Sequence, residues 1–164
     1  VIDMIDANAV TQTMHELGAK DIRVLRGVED TKAFVKGLNN TVTAYDLMVI
    51  YEKMATGEIV DQKASQAMIE ILLDQRFNTI IPARLPEGVR VAHKTGNITG
   101  VLHDSGIVFL PDGRKYVVVL LSKDLKDAEG AKEAMAKVSE LLYQQVVGKN
   151  QRSKEPEFKG HTNN

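Results

Sequence analysis

The chain has 164 residues, 43% of them hydrophobic and 26% charged, which is the make-up of one ordinary soluble globular domain with a real core. Lys+Arg 21 against Asp+Glu 22 leaves a net charge of -1, so nothing draws it to nucleic acid or another polyanion. With no cysteine there is no disulfide framework, thiolate zinc site or cysteine nucleophile; no cofactor or metal is expected, and no apolar run is long enough to cross a bilayer.

Taken in order, the chain opens on apolar Val1, Ile2, Met4 and Ile5, which read as the last turns of a helix packed against something upstream. The first residue is not Met, so a processed or truncated chain is expected and the lack of a signal peptide carries no information. Asn8 is a plausible N-cap for a helix to about Leu17, with Val10, Met14 and Leu17 on one face and Gly18 at its end. From Ala19 to Val42 the periodicity fades into a long charged loop containing Glu29. Thr43 and Asp46 form a capping box for a helix carrying Leu47, Ile50, Tyr51 and Met54, stopped by Gly57. Asp61 caps the next helix, with Ala64, Met68, Ile71 and Leu72 on one face.

Pro82 and Pro86 punctuate a connector into Val89–Asn97, where Val89 and Val91 alternate with Arg90 and Ala92 as in a half-buried strand. That strand ends in Lys94-Thr95-Gly96, which sets an ammonium beside a hydroxyl and removes the side chain where something must come close to the backbone. Gly106–Leu110, a Pro-Asp-Gly-Arg turn at 111–114 and Lys115–Leu121 read as an antiparallel hairpin whose second strand is apolar enough for burial on both faces. A final amphipathic helix runs from about Ala128 to Val147, and the polar tail 148–164 is expected to be disordered. Residues 1–75 form a mainly helical part and 76–147 the sheet and terminal helix of one α+β domain.

This order of elements, closing on Lys94-Thr95-Gly96, resembles the C-terminal two-thirds of the class A β-lactamase and penicillin-binding serine hydrolase family over about residues 1 to 147. The resemblance implies a β-lactamase/transpeptidase-like fold, with a helical subdomain and an antiparallel sheet flanked by helices. The family's Ser-x-x-Lys and Ser-Asp-Asn motifs do not occur here, since none of Ser65, Ser105, Ser122, Ser139 and Ser153 has the required neighbours. By resemblance both motifs lie upstream, together with two strands and a helix of the sheet domain, so an upstream segment or a second chain is expected to supply them. The chain alone is expected to be inactive.

The resemblance also implies roles. Lys94 would be a fixed cation facing the cleft, where it aids proton movement near the serine; its plain alternative is a solvated surface lysine. Thr95 would bind the substrate carboxylate, Gly96 would let the ligand lie along the strand, and the backbone N–H of Asn97 would complete an oxyanion hole. Glu29 stands where class A enzymes carry the carboxylate that activates the deacylating water, but the Pro, Leu and Asn that accompany it there are out of register, so a plain loop carboxylate is the alternative. His103 and Arg84 are candidates for the substrate-carboxylate Arg of many family members, and His93 reads as a packing residue.

The implied function is β-lactam hydrolysis through a serine acyl-enzyme. The alternatives are a penicillin-binding D-alanyl-D-alanine peptidase acting on peptidoglycan peptides, or a non-catalytic binding module on the same fold. A periplasmic or secreted setting is implied by resemblance only.

Overall fold

The computed structural model describes residues 5–152; the Val1–Met4 part of the expected terminal turn and the tail beyond Arg152 lie outside the described residues. The first helix, α1 (Ala7–Glu16), starts earlier than Asn8 because Asp6 takes the N-cap, its carboxylate accepting the N–H groups of Asn8 at 3.4 Å and Ala9 at 3.2 Å. A one-turn helix, α2 (Thr31–Val35), sits within the long loop and is capped by Asp30, which accepts the Ala33 N–H at 2.9 Å.

Helix α3 (Ala44–Thr56) has the capping box its sequence predicts: Thr43 Oγ1 accepts the Asp46 N–H at 3.1 Å, and Asp46 Oδ2 accepts the Thr43 N–H at 3.1 Å. Asp61 caps α4 (Gln62–Leu73) as expected, accepting the Ala64 N–H at 2.7 Å. The buried face of α4 is turned from the expected one. Ser65 and Ile69 are buried with Met68 and Leu72 beside them, while Ile71 is 75% exposed, because the 65, 68, 69, 72 spacing defines one stripe and position 71 falls outside it.

Three antiparallel strands follow in the order β1 (Arg90–Ile98), β2 (Val101–Phe109) and β3 (Lys115–Ser122). The second strand begins five residues before the expected start at Gly106. Its polar opening, His103-Asp104-Ser105, conceals a strand because all three side chains find partners within the fold. A two-residue turn at Thr99-Gly100 joins β1 to β2, and Gly100 takes φ +72°, which a side chain would oppose.

The sheet separates two apolar layers. Ile80, Ile81, Val91, Leu102, Val108 and Val118 pack with Met135 beneath α5 (Ala128–Arg152). On the other face Tyr51, Met54 and Ile69 of α3 and α4 close over Ala92 and Ile107. Fully buried aliphatics such as Ile81, Ile107 and Val108 each contribute about 2 kcal/mol. Along β3 only Val118 is buried: helices cover both faces, but the strand is a sheet edge with no strand on its flank among the described residues. Helix α5 runs beyond Val147 through Gly148, which keeps a negative φ and so does not cap it.

Candidate active site

The long loop is closed at its neck and held from inside. Arg23 and Thr41 exchange backbone hydrogen bonds at 2.9 and 3.0 Å. Asn40 Oδ1 accepts the N–H groups of Leu25 (2.8 Å) and Arg26 (3.1 Å), and its amide nitrogen donates to the Arg26 carbonyl at 3.1 Å. Thr11 of α1 both donates to and accepts from the Val24 backbone, so the loop leaves the helix at a set angle. Arg26 lies 5.1 Å from the centre of the Phe34 ring and donates to the Gly27 and Val28 carbonyls. These contacts make it a compact Ω-type loop.

At the sheet, the ladder decides which backbone groups of β1 face outward. The Leu110 N–H donates to the Arg114 carbonyl at 2.8 Å, so the even-numbered residues of β2 bond to β3 and the odd-numbered ones to β1. With Lys94 opposite Ser105 and Gly96 opposite His103, the even-numbered residues of β1 bond inward. The N–H and C=O groups of Thr95 and Asn97 therefore turn to the outer edge of β1, which has no strand partner among the described residues. The Lys94 ammonium donates to the outward Thr95 carbonyl at 2.7 Å and its side chain is exposed.

These constraints bring five of the predicted residues together. Lys94, Thr95, Gly96 and Asn97 share one strand edge, and His103 lies directly across from Gly96, its Cβ 3.6 Å from where a Gly96 Cβ would sit. A side chain at position 96 would fill that strip against His103. His103 is itself held by β3, its Nδ1 accepting the Ser122 N–H at 3.2 Å.

Two predicted residues stand elsewhere. Arg84, in the 3-10 turn Pro82–Arg84, forms an ion pair with Glu133 and lies 3.6 Å from Glu140, both on α5. Hydrogen bonding from Lys137 first, then the nearby Arg84, holds the Glu140 carboxyl below the usual range. Glu29 sits in the loop just before the Asp30 cap, with its side chain exposed.

The polar residues that sequence reading passed over lie behind the triplet. His93 is 1% exposed and Asp104 0%, and His93 Nδ1 donates to Asp104 Oδ1 at 2.8 Å. A signal for the pair existed in the sequence. Continuing the β2 alternation back from Ile107 places Asp104 across from Thr95, two residues along β1 from His93 and so on the same face of the sheet. On the opposite sheet face, the Ser105 hydroxyl donates to Tyr51 Oη at 3.3 Å and ties α3 to the strand beside Lys94; burial raises the Tyr51 pKa, with the Ser105 bond opposing it.

Residues 1–146 match the model of the beta-lactamase enzyme family. The chain belongs to that family. Among curated relatives, the extended-spectrum beta-lactamase PER-1 of Pseudomonas aeruginosa is 40% identical over 67 residues, which is 37% of this chain and 22% of PER-1. Among solved structures, a mutant of PBP-A in an acyl-enzyme complex with penicillin G aligns with TM-score 0.78 and 30% identity, over 90% of this chain and 54% of that one. A beta-lactamase from Sphaerobacter thermophilus aligns with TM-score 0.77 and 25% identity, over 89% of this chain and 56% of the other. The fold is thus that of the β-lactamase/transpeptidase family, and the chain spans about half the length of these solved relatives.

Proposed function

We propose that this chain forms the Lys-Thr-Gly wall of a serine acyl-transfer cleft that hydrolyses β-lactam amides through an acyl-enzyme. The observation that carries this reading is the free edge of β1, where an exposed Lys94, the Gly96 strip and the outward N–H of Asn97 stand in line. An extended substrate adds to such an edge as a strand does, through backbone hydrogen bonds. Lys94 and Thr95 take the substrate carboxylate, with His103 beside them, and Lys94 assists proton movement at the serine. The Asn97 N–H meets charge as it develops on the tetrahedral oxyanion, a contribution of about 3 kcal/mol. Arg84, already engaged by two carboxylates, has no part in this assignment.

None of the five serines is followed three residues later by lysine, so the nucleophile is assigned to another segment, in the same polypeptide or a second chain. The open flank of β3 suits strands from that segment, and the 164 residues by themselves are assigned no acyl-transfer activity. Glu29 is assigned the deacylating water. The natural setting is periplasmic or secreted, where such substrates occur.

A penicillin-binding peptidase is the second reading. It is favoured by the exposed Glu29 carboxylate, for which no hydrogen-bond partner occurs among the described residues, and by the likeness to PBP-A. Nitrocefin turnover by the natural-length protein separates the two. Steady hydrolysis, reduced about 100-fold or more in Glu29→Gln, is the expected result. A single stoichiometric burst without turnover sinks the lactamase and leaves the peptidase. No acylation by any penicillin leaves only a binding module. Lys94→Ala is expected to slow acylation by a fluorescent penicillin about 100-fold while leaving the melting temperature unchanged, since its side chain is exposed.

A further inference from the structure

Directly behind the Lys-Thr-Gly edge, the fold buries a chain of polar groups that no packing requirement explains. Strand alternation sends His93 and Lys94 to opposite faces of β1, so the residue next to the exposed lysine is buried within the sheet domain. Its Nδ1 donates to Asp104 Oδ1 at 2.8 Å, and its Nε2 lies 3.1 Å from Asn78 Oδ1. Asp104 sits on β2 across from Thr95, and its second oxygen accepts the Ile81 N–H at 3.0 Å. The carbonyl of that same Ile81 accepts the Ser139 hydroxyl at 2.8 Å, which carries the chain of bonds into α5. The buried members, His93, Asp104 and Ser139, are at most 1% exposed.

Room for the imidazole is made by Gly106, its partner across the ladder. A Cβ there would fall 2.2 Å from the Ala92 carbonyl oxygen and 2.6 Å from His93 Cβ. An apolar pair would fill the same space without the desolvation that His93 and Asp104 incur, and such replacements are often neutral or stabilising. What apolar side chains lack is direction. The polar network ties three elements — the connector at 78–81, β2 and α5 — to the one residue of β1 that precedes the lysine.

We infer that His93 and Asp104 are positioning residues for Lys94-Thr95-Gly96, fixing the height and register of this otherwise one-sided edge strand against the ligand that adds to it. This rests on the reading of the triplet as a ligand-binding edge. Geometry at such a site is exacting, because a displacement of about 1 Å costs on the order of 100-fold in rate. Asp104→Asn keeps the network whole with the imidazole proton moved to Nε2, where Asn78 Oδ1 accepts it: the amide oxygen accepts from the Ile81 N–H and the amide nitrogen donates to Nδ1. The double change His93→Leu with Asp104→Leu roughly keeps the volume and removes the bonds of both side chains, to each other, to Asn78 and to the Ile81 N–H.

The experiment uses the natural-length protein and has two readouts, acylation by a fluorescent penicillin and amide hydrogen exchange at Lys94 and Gly96, whose N–H groups bond inward to β2. The expected result is that the double Leu variant stays folded, with a melting temperature a few degrees below that of the parent because the buried Ile81 N–H loses its acceptor. It should acylate 30- to 100-fold more slowly and exchange at Lys94 and Gly96 at least 10-fold faster. Asp104→Asn should stay within a few-fold of the parent on both counts. Parental acylation and exchange in the folded double Leu variant overturn the inference. So does a loss in Asp104→Asn as large as in the double variant, since charge and not directed bonding would then be at work. If the double variant does not fold, Asp104→Ala, which drops the bonds of one partner, takes its place with the same expected changes. Failure of the parent protein to react with any penicillin counts against the proposed function, while the exchange readout still decides the positioning role.

Discussion

At the scale of single residues, buried polar groups in this fold occur where they receive several directed bonds. Asp46 is 0% exposed and carries the N-terminus of α3. Burial opposes its ionisation, but hydrogen bonds from the Thr43 hydroxyl at 2.7 Å, the Asp21 N–H at 3.1 Å and the Thr43 N–H outweigh that and hold its pKa below 3.8. A carboxyl whose folded value is depressed stabilises the protein fully above its unfolded value and loses that contribution as pH falls through the folded one. Asp46→Ala is therefore expected to cost about 2 kcal/mol at pH 7, and the gap between parent and variant should narrow steadily below about pH 4 in chemical denaturation. A gap that stays constant from pH 7 to pH 2 would remove the charge from this account. Tyr116 is the contrasting case: its hydroxyl has no hydrogen-bond partner among the described residues, and burial, assisted by Tyr143, pushes it up to about 12.

At the scale of elements, the Ω-type loop and the edge strand β1 are built differently, and their stabilities should differ. The loop owes its shape to bonds around Asn40 and the Arg23–Thr41 neck, with Val28 and Val35 left 77% and 80% exposed. It buries little, so its closure is local. Asn40→Ala should cost about 1 kcal/mol, and hydrogen exchange should quicken at residues 25–40 with no change in β1–β3. Equal acceleration in the sheet would show that the loop and the sheet open as one unit. Strand β1, by contrast, is backed on both faces by buried side chains, and its inner edge is fully paired with β2.

At the scale of the whole molecule, two helix layers enclose a three-stranded sheet that is open at both edges among the described residues. Apolar side chains remain in the open on several elements, including Phe77 at 69% exposure and Leu141 at 52% on α5. Such surfaces associate when nothing covers them. The 164 residues expressed alone should elute as concentration-dependent oligomers and bind a hydrophobic dye. A sharp monomeric peak with one cooperative melting transition would contradict this.

Much of this was legible in the amino-acid sequence because the signals are local. Capping residues at Thr43 and Asp61 and the Pro-Asp-Gly turn at 111–113 each act within a few positions of themselves; the alternation through Val91 marked the strand but not its burial, since Val91, Ala92 and His93 are all buried between the two helix layers. The order of those elements around Lys94-Thr95-Gly96 was enough to indicate the family. Other features depended on partners distant in sequence. The opening of β2 is polar because Asp104 meets His93 and Ile81, and Ser105 meets Tyr51, 54 positions away. Helix α4 shows which stripe is buried only once α3 and the sheet lie against it. The outward aim of the Asn97 N–H follows from a ladder whose parity is set at the far hairpin, by Leu110 and Arg114. Hydrogen bonds and burial between distant segments leave no period in the sequence, so only the tertiary structure could decide them.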